Sequence, residues 1–114
     1  MTIEGIEYVY LETRNWGKSA KFWQTLGYEL ELDLGSAGRL APPGGGPGVF
    51  IQEVSPETPL AQGVYLRASS PDFAFEAPVE LVGDPIDSHW NTNLQTIRDP
   101  DGREFILQYT PPGE

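Results

Sequence analysis

The sequence predicts an α+β fold built from two tandem βαβββ modules, and three observations carry that prediction. Strand-like and helix-like segments follow one another in the same order twice. Letters also recur at one offset, 55 positions: Val9-Tyr10-Leu11 returns as Val64-Tyr65-Leu66, Leu26 as Leu81, and Phe50-Ile51 as Phe105-Ile106. The Gly/Pro-rich segment 42–48 falls, in the same register, on the turn Asp99–Gly102. Several matches at a single register are the mark of an internal repeat. The 114 residues then divide into a first module at 5–54, a connector at 55–62 and a second module at 63–110, all within one domain.

In the first module, Tyr8–Thr13 reads as a strand with Tyr8, Tyr10 and Glu12 on one face and Val9, Leu11 and Thr13 on the other. Asn15 is a good cap for a helix over Gly17–Thr25, with Ala20, Phe22, Trp23 and Leu26 as its apolar stripe and Gly27 ending it. Tyr28–Leu34 alternates leucines with carboxylates, the pattern of a strand with one wet face. Arg39–Pro42 and Val49–Val54 are the remaining strands, joined by a Gly/Pro hairpin loop. Pro56 and Pro59 mark the connector.

The second module repeats the order. Gly63–Ala68 is a strand, and Ser70 with Pro71 opens a short helix over Ser70–Ala77. A strand runs from Val79 past Pro85 to Ile86, Asp87–Asn93 is a loop, and Leu94–Arg98 leads into the turn Asp99–Gly102. Pro100 pre-sets φ there, the aspartates bond their own backbone, and Gly102 takes positive φ. Glu104–Tyr109 is the last strand, stopped by Pro111 and Pro112.

Composition narrows the function. The net charge is −10 and the pI about 4.3, which argues against nucleic acid and anionic lipid as partners, since both need basic surface. The same charge attracts cationic ligands. No apolar run is long enough to span a membrane, and the first ten residues lack the basic start of a signal peptide, so a cytoplasmic location is expected. With no cysteine, the chain has no disulfides, thiolate nucleophiles or Cys-based zinc sites.

Two βαβββ modules, the helix end Phe22-Trp23-x-x-Leu26-Gly27-Tyr28 and the closing Asp99-Pro100-Asp101-Gly102 together resemble the vicinal oxygen chelate superfamily, which includes glyoxalases, extradiol dioxygenases and bleomycin-resistance proteins. The resemblance covers nearly the whole chain. It implies a curved mixed sheet around a ligand cavity, and commonly a homodimer. It also implies metal ligands on the first and last strand of each module. Carried over, those positions read Tyr8, Ile51, Gly63 and Ile106, none of them a usual ligand. A register slip of one residue would bring Gln52 or Glu53 near such a point, but no histidine.

No cofactor is therefore expected. The concave face is expected to carry Tyr8, Tyr10, Glu12, Ile51, Glu53, Tyr65, Arg67, Ile106 and Gln108, with Glu12 facing Arg67 as an ion pair. The resemblance further implies a Trp near the cavity mouth before the seventh strand, so Trp90, in the Asp87–Asn93 loop beside the sole histidine His89, is expected either to stack on a ligand or to pack on its own module. The ligand-binding set is thus Tyr8, Tyr10, Glu12, Glu53, Tyr65, Arg67, Trp90 and Gln108. Tyrosines in strands are also ordinary half-buried sheet residues, since Tyr is a good strand former. The favoured function is a non-catalytic protein that sequesters an aromatic or cationic small molecule, as drug-binding members of the superfamily do. The alternative is a metal-dependent glyoxalase- or dioxygenase-type enzyme with a shifted metal site.

Overall fold

Alternating strands and Gly/Pro turns resolve, in a computed structural model that describes residues 3–70, 79–88 and 92–110, into eight strands and one helix. In chain order these are β1 (Ile3–Thr13), α1 (Trp16–Thr25), β2 (Glu29–Asp33), β3 (Ala37–Ala41), β4 (Gly48–Glu53), β5 (Gln62–Ala68), β6 (Glu80–Asp87), β7 (Asn93–Arg98) and β8 (Glu104–Tyr109). The fold is α+β with a mixed sheet. The helix expected over Ser70–Ala77 lies, but for Ser70, outside the described residues. The first strand begins at Ile3 rather than Tyr8. Ile3 and Ile6 are exposed, so no buried alternation marks the early part of this strand.

The chain clusters into two compact units, Tyr8–Gly63 and Val64–Glu114, the latter joined by Met1–Glu7. β1 therefore gives its last six residues to the first unit and its beginning to the second. In the first unit the strands run β2-β3-β4-β1, with antiparallel pairs except for parallel β4 and β1. The second unit repeats this as β6-β7-β8-β5, parallel only between β8 and β5.

The core of the first unit is Trp16, Ala20, Leu40, Val49 and Ile51, with Val9, Leu11, Trp23 and Tyr28 packed on it. Leu40 and Ile51 are fully buried, each worth about 1.5–3 kcal/mol of transfer free energy. Asn15 caps α1 as expected: its backbone is extended, and its side chain accepts from Lys18 N at 2.9 Å. The buried stripe differs from the expected one. It is buried Trp16 and Ala20 with partly buried Trp23, spaced i, i+4, i+7, whereas Phe22 is 58 % and Leu26 56 % exposed. Phe22 sits one residue, about 100°, around the helix from Trp23, so both cannot face the sheet centre. The helix rotation is set by Trp16, whose indole Nε1 donates to Asp33 Oδ1 at 3.1 Å.

In the second unit Ala68, Leu107 and Tyr109 are buried, with Leu66 and Ile97 against them. Gln95 is 2 % exposed, and its amide Nε2 donates to Thr96 O at 2.9 Å and approaches Val82 O and Gly83 O at 3.4 and 3.3 Å. Those two carbonyls lie where the β6–β7 register shifts between Val82 and Ile86. Gln95 thus supplies donors that the interrupted ladder does not. The Asp99–Gly102 turn forms as its residues predict. Asp99 Oδ1 accepts from Asp101 N and Arg103 N at 2.9 and 2.8 Å, and Gly102 has φ 87°.

Candidate functional site

The phase of the two last strands decides which side chains share a face. Register partners on neighbouring strands point to the same side of a sheet. In the first unit Leu11 pairs with Ile51, and both pack in the core under α1. The opposite face then carries Tyr8, Tyr10 and Glu12 from β1, with Phe50 and Gln52, the partners of Tyr10 and Glu12, from β4. In the second unit Leu66 pairs with buried Leu107, so the opposite face carries Tyr65 with Ile106, and Arg67 with Gln108.

Two expectations are corrected by this. Ile51 is 0 % exposed in the core, not on the open face, and Glu53 shares its phase. The first strands of the two units correspond at an offset of 55, Leu11 to Leu66, but the last strands at 56, Ile51 to Leu107. The letter match Phe50-Ile51 with Phe105-Ile106 is therefore one residue out of phase. The structural counterparts are Phe50 with Ile106 and Gln52 with Gln108. A single extra residue between the strands reverses every side chain after it.

Glu53 has a different task from the ligand contact expected of it. Its Oε2 accepts from Trp16 N at 2.8 Å, placing a carboxylate on the first turn of α1, which has no acidic residue of its own. Glu12 and Arg67 each find partners within their own unit. Glu12 Oε2 accepts from Tyr10 Oη at 2.8 Å and Glu12 Oε1 from Ala61 N at 3.0 Å, which ties β1 to the connector. Arg67 instead pairs with Glu4 and Glu7, so the expected Glu12–Arg67 ion pair is replaced. Tyr8 is buried, its ring centroid 5.6 Å from that of Phe50, and Tyr10 stacks on Phe50 at 6.4 Å. Tyr65 is half-buried beside Ile106. Trp90 and His89 lie outside the described residues.

The second unit contains a cleft of about 360 Å³ at the ends of β5 and β8, within the range of small-molecule sites. Arg67 and Gln108 line it, and so do Glu4 and Glu7, which the sequence reading did not single out. Arg67 Nε is 3.2 Å from Glu4 Oε1, and its terminal nitrogen is 3.2 Å from Glu7 Oε2. In a regular strand residues 4 and 7 point to opposite faces. Gly5, at φ 137°, interrupts that alternation and lets both carboxylates reach one guanidinium. The available signal was Glu4-Gly5-x-Glu7 itself, two acids around a glycine in a segment without hydrophobic alternation. The group is open, with Arg67 52 % and Glu7 26 % exposed, so each ion pair contributes at most about 1 kcal/mol to stability. Ser69 and Thr92 add hydroxyls to the wall.

A second concavity, about 470 Å³, is lined by Val79, Ile97, Phe105 and Arg98 among others. Arg98 there joins its two register partners, Glu80 and Glu104, across three strands. Hydrogen bonding to Glu104, then the charge of Glu80, raises the pKa of its guanidinium above the ordinary value. The arrangement is a cross-strand clip, and its charges already answer one another. Among the described residues no group of three His, Cys, Asp or Glu side chains is placed to hold a metal ion. Nor is any described helix long and apolar enough to cross a membrane.

No family model matches the sequence, and no curated protein does. Solved structures do match in shape: the chain has the vicinal oxygen chelate fold. The crystal structure of methylmalonyl-CoA epimerase from Mycobacterium tuberculosis is similar at TM-score 0.70 and 16 % identity, covering 96 % of this chain and 90 % of that one. A structure described as NAD-dependent benzaldehyde dehydrogenase from Legionella pneumophila gives 0.65 at 12 % identity, covering 90 % and 97 %. A glyoxalase/bleomycin resistance protein/dioxygenase from Nocardioides gives 0.41 at 21 % identity, covering 100 % and 88 %. At these identities the likeness is one of fold.

Proposed function

We propose that this chain binds a small organic molecule carrying a cationic group, without transforming it, and that the cleft around Arg67 is the site. The observation that carries the reading is the Glu4–Arg67–Glu7 group beside Gln108 in a cleft of about 360 Å³. Two carboxylates against one guanidinium leave an excess of acceptor oxygens there. A chain of net charge −10 adds a long-range field of the same sign.

A non-catalytic role is supported by residue types. With the strand phases corrected, the open-face positions on the last strands are Phe50, Gln52, Ile106 and Gln108. None is a carboxylate or imidazole, which metal-assisted chemistry needs in numbers of two or three. Sequestration of a drug-like cation by such a protein, acting as a homodimer in the cytoplasm, fits this reading.

The test is a thermal-shift and calorimetric panel of organic amines with neutral isosteres of the same shape. Amines are expected to stabilise the protein by about 2.7 kcal/mol at a hundredfold excess over Kd, with the effect shrinking in high salt. Equal stabilisation by the neutral isosteres would remove the electrostatic basis. Purified protein that carries a stoichiometric transition metal and turns over a substrate would end the non-catalytic reading.

A further inference from the structure

Resting on that reading of the cleft, we infer a narrower ligand class: a small zwitterion of the α-amino-acid type, held by its carboxylate on Arg67 and its ammonium at Glu4 and Glu7. The guanidinium has five N–H groups, and the two ion pairs engage Nε and one terminal nitrogen. The other terminal nitrogen is engaged by neither glutamate, and the edge it forms can donate to a carboxylate. Gln108 is the register partner of Arg67, so its amide stands on the same face beside that edge.

Either half of such a ligand, taken alone, also meets an opposing charge. A lone anion approaching Arg67 meets Glu4 and Glu7, each with an oxygen 3.2 Å from the guanidinium. A lone cation approaching the glutamates meets Arg67 at the same range. A ligand whose opposite charges are separated by two or three bonds aligns its dipole against that of the protein and answers both. The close spacing of protein charges selects close spacing in the ligand, which is why an α-amino acid fits better than a long-chain zwitterion.

The experiment uses three compounds with one skeleton: free L-phenylalanine, 2-phenylethylamine and 3-phenylpropionate, titrated calorimetrically into the wild-type protein and Arg67→Gln. Wild type is expected to bind the amino acid about tenfold or more tightly than the amine, and the propionate most weakly, since a charge-assisted hydrogen bond of this kind is worth about that factor. Arg67→Gln, at an exposed position, should weaken the amino acid about tenfold and tighten the amine, because Glu4 and Glu7 lose their counter-charge. A purely structural role for Arg67 would move both affinities the same way, and that outcome overturns the inference. So does an amino acid no tighter than the amine on wild type, which still leaves cation binding in the cleft standing. Failure of all three compounds to bind overturns the zwitterion and counts equally against the cleft as the site.

Discussion

Replacing Glu53 with alanine separates the two tasks that this residue has been given, ligand contact from the sequence and helix stabilisation from the structure. The carboxylate accepts the Trp16 backbone N–H at 2.8 Å and brings an acid to the first turn of α1, which has none of its own. A hydrogen bond to a charged acceptor is worth about 1.5–3 kcal/mol when sheltered. Glu53 is exposed, which places its bond at or below the lower end of that range. Its charge at the helix N-terminus, part of the same interaction, is worth about 0.3–1 kcal/mol. Asn15 still caps the helix in the variant, so the net loss is expected to be about 1–1.5 kcal/mol, or a Tm lower by about 5 °C. Glu53→Gln keeps an acceptor and should lose about half as much. Urea unfolding of the three proteins, followed by tryptophan fluorescence, measures this directly, because Trp16 lies at the affected turn. Affinity for 2-phenylethylamine should stay at the wild-type value in both variants. A Glu53→Ala protein as stable as wild type but impaired in binding would refute the assignment.

Two further outcomes follow from the second unit. Gln95→Leu keeps the volume but removes the donors facing Thr96 O, Val82 O and Gly83 O, so it should cost about 1–3 kcal/mol in chemical denaturation, while a Gln95→Leu protein of unchanged stability would mean that the shifted register needs no such support. Asp99 is pushed upward by desolvation, but the Arg103 backbone N–H, the Arg103 guanidinium and the Asp101 N–H outweigh this and hold its pKa below the ordinary 3.8. A carboxyl depressed in the folded state stabilises the protein above the unfolded pKa and loses that contribution as pH falls through the folded one. Stability should therefore drop with acid below about 3.8, and Asp99→Asn should flatten that part of an acid-unfolding profile; identical profiles would refute it.

The α+β class, the repeated strand order, the cap at Asn15 and the Asp99–Gly102 turn were legible in the residues, because each is decided by chemistry within a few positions of chain. Cap, turn and alternation are short-range, and a strand's side chains keep their phase over its own length. What local pattern does not carry is phase between distant strands. Phe105-Ile106 copies Phe50-Ile51 in letters, yet Ile51 is core and Ile106 pairs with Tyr65 on the open face. The offset grew from 55 to 56 between first and last strands, and only strand pairing reveals which residue stands opposite which. The same holds for the cleft. Arg67 and Gln108 were named from parity, but Glu4 and Glu7 join them through Gly5's positive φ and a contact spanning some sixty residues of chain. The bond from Trp16 N to Glu53 was hidden for the same reason, since the two residues lie 37 positions apart. Net charge is written in the composition; which carboxylates flank Arg67 in the cleft was decided by tertiary pairing.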